Sequence, residues 1–184
     1  LAFSAVAAVG CDQFVYWDET NPRLCLAPDA FVCFGEPDSL FATWKTWERG
    51  VPQVAVEFLS KSEHRAAVPS KLAQYQRLGV SELVLFDAEA EHPLRIWDWI
   101  AGQLVERLLT GSCAESRYLP GFWLVQEQPA LGAALRLSRD AQGEHLYLTP
   151  AERDAKARAE AEAQRAGAEA RIRELEAELA RRHS

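Results

Sequence analysis

Two carboxylates stand where β-strands should run. Asp29 follows Pro28 at the mouth of Ala30-Phe31-Val32-Cys33-Phe34, and Glu57 interrupts Val54-Ala55-Val56-Glu57-Phe58-Leu59. Burying a carboxylate costs free energy unless it is paired, hydrogen-bonded or bound to a cation. Two of them on adjacent strands would hold a hard divalent metal, with the main-chain carbonyl of Phe58 as a third oxygen ligand. Mg²⁺ takes oxygen ligands and keeps several waters, and Mn²⁺ is the natural alternative. Such an ion can activate water and neutralise charge on phosphate oxygens, the requirements of phosphodiester hydrolysis. A nearby lysine would stabilise the attacking hydroxide or the phosphate. Lys61 lies just past the second strand, and Lys71 stands on the helix that follows. Lys71, Gln74 and Tyr75 fall at i, i+3 and i+4, hence on one helical face that can point at the carboxylates.

The elements that must position these groups follow from the apolar pattern. Val54–Leu59 and Glu82–Phe86 are unbroken apolar runs of the kind buried on both faces of a sheet. Between them, Pro69 suits a first helical turn and Gly79 a helix end, so strand, helix and strand make a βαβ unit. Phe14–Trp17 and Phe31–Phe34 read as further strands. Residues 39–49, with Leu40, Trp44 and Trp47 near helical spacing, read as a short helix. Leu94–Ile100 and Gln103–Leu109 form a hairpin around Ala101-Gly102. The expected fold class is α/β, a mixed β-sheet flanked by helices, with a long C-terminal helix. Three regions are expected: a core over 1–128, an appended hairpin over 129–150 (134–138 with 144–148), and an Ala/Glu/Arg-rich helix over 151–184. Ile172, Leu175 and Leu179 give that helix an a/d-like spacing for little more than one heptad, enough for a short coiled coil and a homodimer or other oligomer.

Composition removes several classes. With 48% hydrophobic residues, six Trp and eight Phe, the chain can build a core. It has no apolar run long enough to span a membrane. Leu1–Val9 lacks a preceding basic region and does not read as a signal peptide. The chain has no Met, which leads to the expectation that residues precede Leu1. Cys11, Cys25, Cys33 and Cys113 form no CxxC pattern, so free thiols in a cytoplasmic protein are expected. The net charge of −7 sits wholly in residues 1–150, because the eight basic and eight acidic residues of 151–184 cancel. The overall field of the core therefore does not draw nucleic acid, and any such contact must be local.

Taken in order, Ala27-Pro28-Asp29-Ala30-Phe31-Val32, Val54–Ser60 and Lys71-Leu72-Ala73-Gln74-Tyr75-Gln76-Arg77-Leu78-Gly79-Val80-Ser81-Glu82 resemble the Uma-two family. That family belongs to the restriction-endonuclease-like PD-(D/E)XK superfamily. The resemblance continues through Leu85-Phe86-Asp87 and Leu119-Pro120-Gly121-Phe122, and covers roughly 11–150. It implies a divalent metal and an endonuclease acting on DNA, with Asp29 and Glu57 as the carboxylates. Leu59 stands where the superfamily places its lysine, so the resemblance moves that role to Lys71. Ala67 stands where the family shows an Asp. These two departures define the other expectation, a nuclease fold that has lost catalysis and serves as an interaction module assembling through its C-terminal helix.

Overall fold

Stretches rich in β-branched and aromatic residues become strands, as their preference for a pleated, half-buried surface dictates. In chain order they are Ala7–Gly10 (β1), Val15–Tyr16 (β2), Cys25–Leu26 (β3), Ala30–Phe34 (β4), Trp44–Lys45 (β5), Val54–Phe58 (β6), Glu82–Phe86 (β7), Leu94–Ile100 (β8), Gln103–Glu106 (β9), Cys113–Glu115 (β10), Phe122–Gln128 (β11) and Gly132–Ser138 (β12). The helices are Thr46–Arg49 (α1), Val68–Leu78 (α2) and Pro150–Arg182 (α3). The structure, a computed structural model, describes residues 6–59, 68–128 and 132–182.

A six-stranded mixed sheet in the order β1-β4-β6-β7-β8-β9 forms the centre. β6 and β7 pair in parallel, with Val54 opposite Glu82 and Glu57 opposite Leu85. The other neighbours in this sheet are antiparallel. α2 carries the chain between the parallel strands, as the strand–helix–strand pattern requires. It ends at Gly79, whose φ of +85° suits a residue without Cβ and whose N–H donates to Tyr75 O at 2.9 Å. The β8–β9 hairpin turns at Ala101 and Gly102, with φ of +50° and +90°.

Alternation along the strands gives this sheet two different faces. Ala55, Leu83, Leu85 and Trp97 pack with Val68, Tyr75 and Leu78 of α2 and with Val15 and Trp44 of the small β2–β3–β5 sheet. Val54, Val56, Val84 and Ile96 face the other way, towards Ala114 and Trp123 of the β10–β11–β12 sheet. A helix thus covers one face, and the second face is covered by more β-structure.

Three expectations change. The apolar residues of 39–49 do not form a helix along their length. Trp44 instead enters β5, parallel to β2, where its ring is fully buried against Phe31 and Phe41, and only Thr46–Arg49 is helical. Gly132–Ser138 pairs along its whole length with Phe122–Gln128, so the expected partner segment 144–148 contributes a single bridge, Ser138 to Leu146. The reason lies in Asp140, whose carboxylate accepts from the backbone N–H groups of Gln142, Glu144 and His145 and holds the segment as a loop. The third change follows from the second: the division at 128/129 falls within a paired hairpin, and chain contacts divide instead after Leu146. Residues 129–131 lie outside the described residues, as do the turn at Ser60–Glu63 with Lys61, and Ala67.

The second unit, from Tyr147 onward, holds α3. Thr149 Oγ1 accepts from the Glu152 N–H while Glu152 reaches back to the Thr149 N–H, a capping box that fixes the helix start. Ile172, Leu175 and Leu179 are exposed on it, flanked by the ion pairs Arg171–Glu174 and Arg182–Glu178. Among the described residues no helix is long and apolar enough to cross a membrane.

Candidate active site

Pro28 is fully buried at the entrance to β4, and Asp29 follows it. The β4–β6 register pairs Ala30 with Val56 and Phe31 with Ala55, so one step further Asp29 stands opposite Glu57. Asp29 Oδ2 accepts the Phe58 N–H at 2.5 Å, so its side chain continues the β4–β6 ladder just past the last paired residue. Glu57 projects from β6 on the α2 side of the sheet and is only 5% exposed.

The helical face of α2 meets it there. Lys71 Nζ donates to Glu57 Oε2 at 2.7 Å, and Tyr75 Oη donates to Glu57 Oε1 in a short hydrogen bond. The spacing of four residues on α2 therefore clamps both oxygens of one carboxylate. Gln74 lies half-buried on the same helix and forms no hydrogen bond with either carboxylate among the described residues. Leu59 packs half-buried against the core of that face.

Burial is the main influence on Glu57 and raises its proton affinity. The hydrogen bonds from Lys71 and Tyr75 and the Lys71 charge oppose this, while the Asp29 charge adds to it. The Tyr75 hydroxyl is pushed far up, first by burial and then by the Glu57 charge, so it remains a donor. Two like charges near each other and a buried carboxylate describe a place that gains from a cation.

The donor set fits a hard divalent ion of the Mg²⁺ type. Two carboxylates and a main-chain carbonyl are hard oxygen donors, and Mg²⁺ is typically held by one or two carboxylates with the rest of its shell water. No group of three or more His, Cys, Asp or Glu side chains that could hold a metal ion occurs among the described residues.

The sheet holds a second pair of buried carboxylates that sequence reasoning passed over. Glu82 is 0% exposed and Asp98, directly opposite it, 2%. Arg107 Nη2 bridges them, at 2.5 Å to Asp98 Oδ1 and 3.2 Å to Glu82 Oε2, and its Nε donates to Asp98 Oδ2 at 2.9 Å. Ser116 Oγ and Trp123 Nε1 donate to Glu82 Oε1 at 2.7 and 2.9 Å, and the Arg117 N–H to Oε2 at 2.8 Å. Every oxygen here is occupied by donors from the segment after β9 (Arg107), the β10–β11 connection (Ser116, Arg117) and β11 (Trp123). This network ties the two large sheets together. A cleft of about 730 Å³ lined by Arg107, Cys113 and Ser116 opens beside it, on the face of the sheet turned away from Glu57.

A family model described as "Uma2: Putative restriction endonuclease" matches residues 4–139. No curated protein matches the chain. Among solved structures, the chain is similar to a protein from Anabaena variabilis ATCC 29413 titled a "putative nuclease belonging to DUF820". The two share 13% identity with a TM-score of 0.45, over 62% of this chain and 60% of the other. The chain thus spans about three-fifths of the length of that relative.

Proposed function

The chain belongs to the Uma2 family, described as putative restriction endonucleases, and from that premise we propose that it is a metal-dependent endonuclease hydrolysing phosphodiester bonds in DNA. The observation that carries this reading is the buried Glu57 carboxylate, held by Lys71 and Tyr75 and faced by Asp29. A well-packed apolar residue at position 57 would serve the fold as well or better.

Asp29 and Glu57 would hold the ion, Mg²⁺ or Mn²⁺, with the Phe58 carbonyl as third protein oxygen. When bound, the ion supplies charge neutralisation at the phosphate and an activated water. Tyr75 Oη fixes Glu57 Oε1, so that the carboxylate turns Oε2 towards Lys71. Lys71 Nζ is the positive group beside the reacting atoms: it orients the attacking water and stabilises charge developing on the phosphate oxygens. Water oxygen bonds to phosphorus, the P–O bond to the leaving sugar oxygen breaks, and the water's proton ends on solvent or on that oxygen. Gln74 stands beside Lys71 and Tyr75 and supports their helical face.

Purified protein is expected to nick supercoiled plasmid with Mg²⁺ or Mn²⁺ and not with EDTA. Glu57→Ala should abolish nicking while the protein stays folded, and Lys71→Met should slow it by about 10²-fold, the loss typical of one charge-stabilising donor. Unchanged cleavage by the Glu57→Ala protein would overturn the assignment.

A further inference from the structure

Both oxygens of Glu57 carry a donor from α2. Tyr75 Oη donates to Oε1 and the Lys71 ammonium to Oε2, the latter at 2.7 Å. Asp29, opposite, gives Oδ2 to the Phe58 N–H, and its Oδ1 has no donor among the described residues. The two donors on Glu57 differ in their freedom. Tyr75 is 1% exposed and packed in one cluster with Val68, Leu78 and Leu83, so its hydroxyl stays where the helix puts it. Lys71 stands near the start of α2 with its side chain 26% exposed. Its ammonium sits on a flexible four-carbon stem and is strongly hydrated in water. One donor is fixed and the other can leave.

We propose that Lys71 is an exchangeable counter-ion, which holds the Glu57 charge until a divalent ion enters and then swings from Glu57 to the scissile phosphate. The inference rests on the endonuclease reading and adds to it the order in which charges change partners. An ion bonded to a carboxylate oxygen at about 2.1 Å and an ammonium on the same carboxylate stand within about 6 Å, whichever oxygen the ion takes. Even with the full screening of water, a double and a single positive charge at that distance weaken ion binding about tenfold. Giving up a part-exposed ion pair of about 1 kcal/mol costs only about fivefold. The ammonium therefore leaves. The phosphate gives it a new partner, so ion and substrate support each other's binding. Without phosphate the ammonium competes for Glu57, and the site binds the ion weakly until a strand is there to cut.

Mn²⁺ binding is read by electron paramagnetic resonance at mildly alkaline pH, which favours the ionised carboxylate in every variant, and thermal melting verifies each fold. Lys71→Met removes the charge and should bind Mn²⁺ about fivefold more tightly, while nicking plasmid about 10²-fold more slowly. A purely structural role would not move the two in opposite directions. Tyr75→Phe frees the other oxygen without removing a charge and should gain no affinity. The unaltered protein supplies a reading without mutation: acetic anhydride should label Lys71 severalfold faster with Mn²⁺ than without, with Lys45 and Lys156 as internal references. If the unaltered protein binds Mn²⁺ and nicks DNA, but Lys71→Met binds it no more tightly or Lys71 labels no faster, the exchange is overturned and the endonuclease reading stands. An equal gain from Tyr75→Phe also overturns the exchange, because a vacated oxygen would then suffice. If the unaltered protein neither binds Mn²⁺ nor nicks DNA, both fall together.

Discussion

Replacing Glu57 with Gln separates a residue kept for chemistry from one kept for the fold. Gln has nearly the same shape and its one amide oxygen still accepts from Tyr75 Oη, but its NH2 group cannot accept from Lys71 Nζ and it carries no charge. Burial raises the proton affinity of Glu57 despite both donors, so its ionised form is a net cost to the folded state at neutral pH. The folded protein then holds the Glu57 proton to higher pH than the unfolded chain does. Between the unfolded carboxylate value, about 4.3, and the raised folded one, the native state binds more protons, and stability falls as pH rises. Above the folded value it levels off. Each unit of that shift is worth about 1.4 kcal/mol, against which Gln forfeits the ion pair with Lys71. That ammonium is partly exposed, at 26%, and can rehydrate, so the loss is about 1 kcal/mol or less. At neutral pH Glu57→Gln should therefore melt no more than about 3 °C below the unaltered protein, and it should lack the decline with pH. Nicking should be lost. Circular-dichroism melts from acid to neutral pH, paired with the plasmid assay, decide the matter. A destabilisation of about 3–5 kcal/mol, the usual cost of breaking a structural buried pair, would mean that Glu57 is there for the fold.

Arg107→Met should have the opposite character. It leaves Glu82 buried without its cation and Asp98 with only the exposed Arg117, 3.4 Å away, and a loss of about 3–5 kcal/mol is expected in urea unfolding. Gly10→Ala should cost about 1–3 kcal/mol, read as a lower melting temperature, because an added Cβ would sit 2.2 Å from the Phe31 ring.

Where local pattern and tertiary demand agree, the chain is readable. The runs at 54–58, 82–86 and 94–100 are buried strands as their composition requires, and Pro69 with Gly79 brackets α2. The spacing of Lys71, Gln74 and Tyr75 places all three on one helical face, and the structure brings Lys71 and Tyr75, though not Gln74, onto Glu57. Trp44 and Trp47 mislead, because aromatic residues at near-helical spacing equally serve a strand and a short turn of helix when a neighbouring sheet claims one ring. Glu82 is the more instructive case. It opens an apolar strand just as Glu57 interrupts one, so the burial argument that selects Glu57 selects Glu82 too. What distinguishes them is Arg107, Ser116 and Trp123, 25 to 41 residues away, and no local pattern announces those partners.

The Glu82 network also sets an order of events in building the molecule. The central sheet places Glu82 and Asp98 side by side as soon as β8 is available. Their donors arrive later, Arg107 first, then Ser116 and the Trp123 indole. On a ribosome adding residues from the N-terminus, the β10–β11 face can close only after position 123 has emerged, and until then two carboxylates hold that side of the sheet open to water. Contacts of such sequence separation form slowly, because the loop entropy is lost before the contact is gained. The nascent sheet therefore keeps its Val54–Val84–Ile96 face solvated and apolar for the whole interval. That exposure makes the late-closing face, rather than the Glu57 side, the point at which premature association with other chains would start.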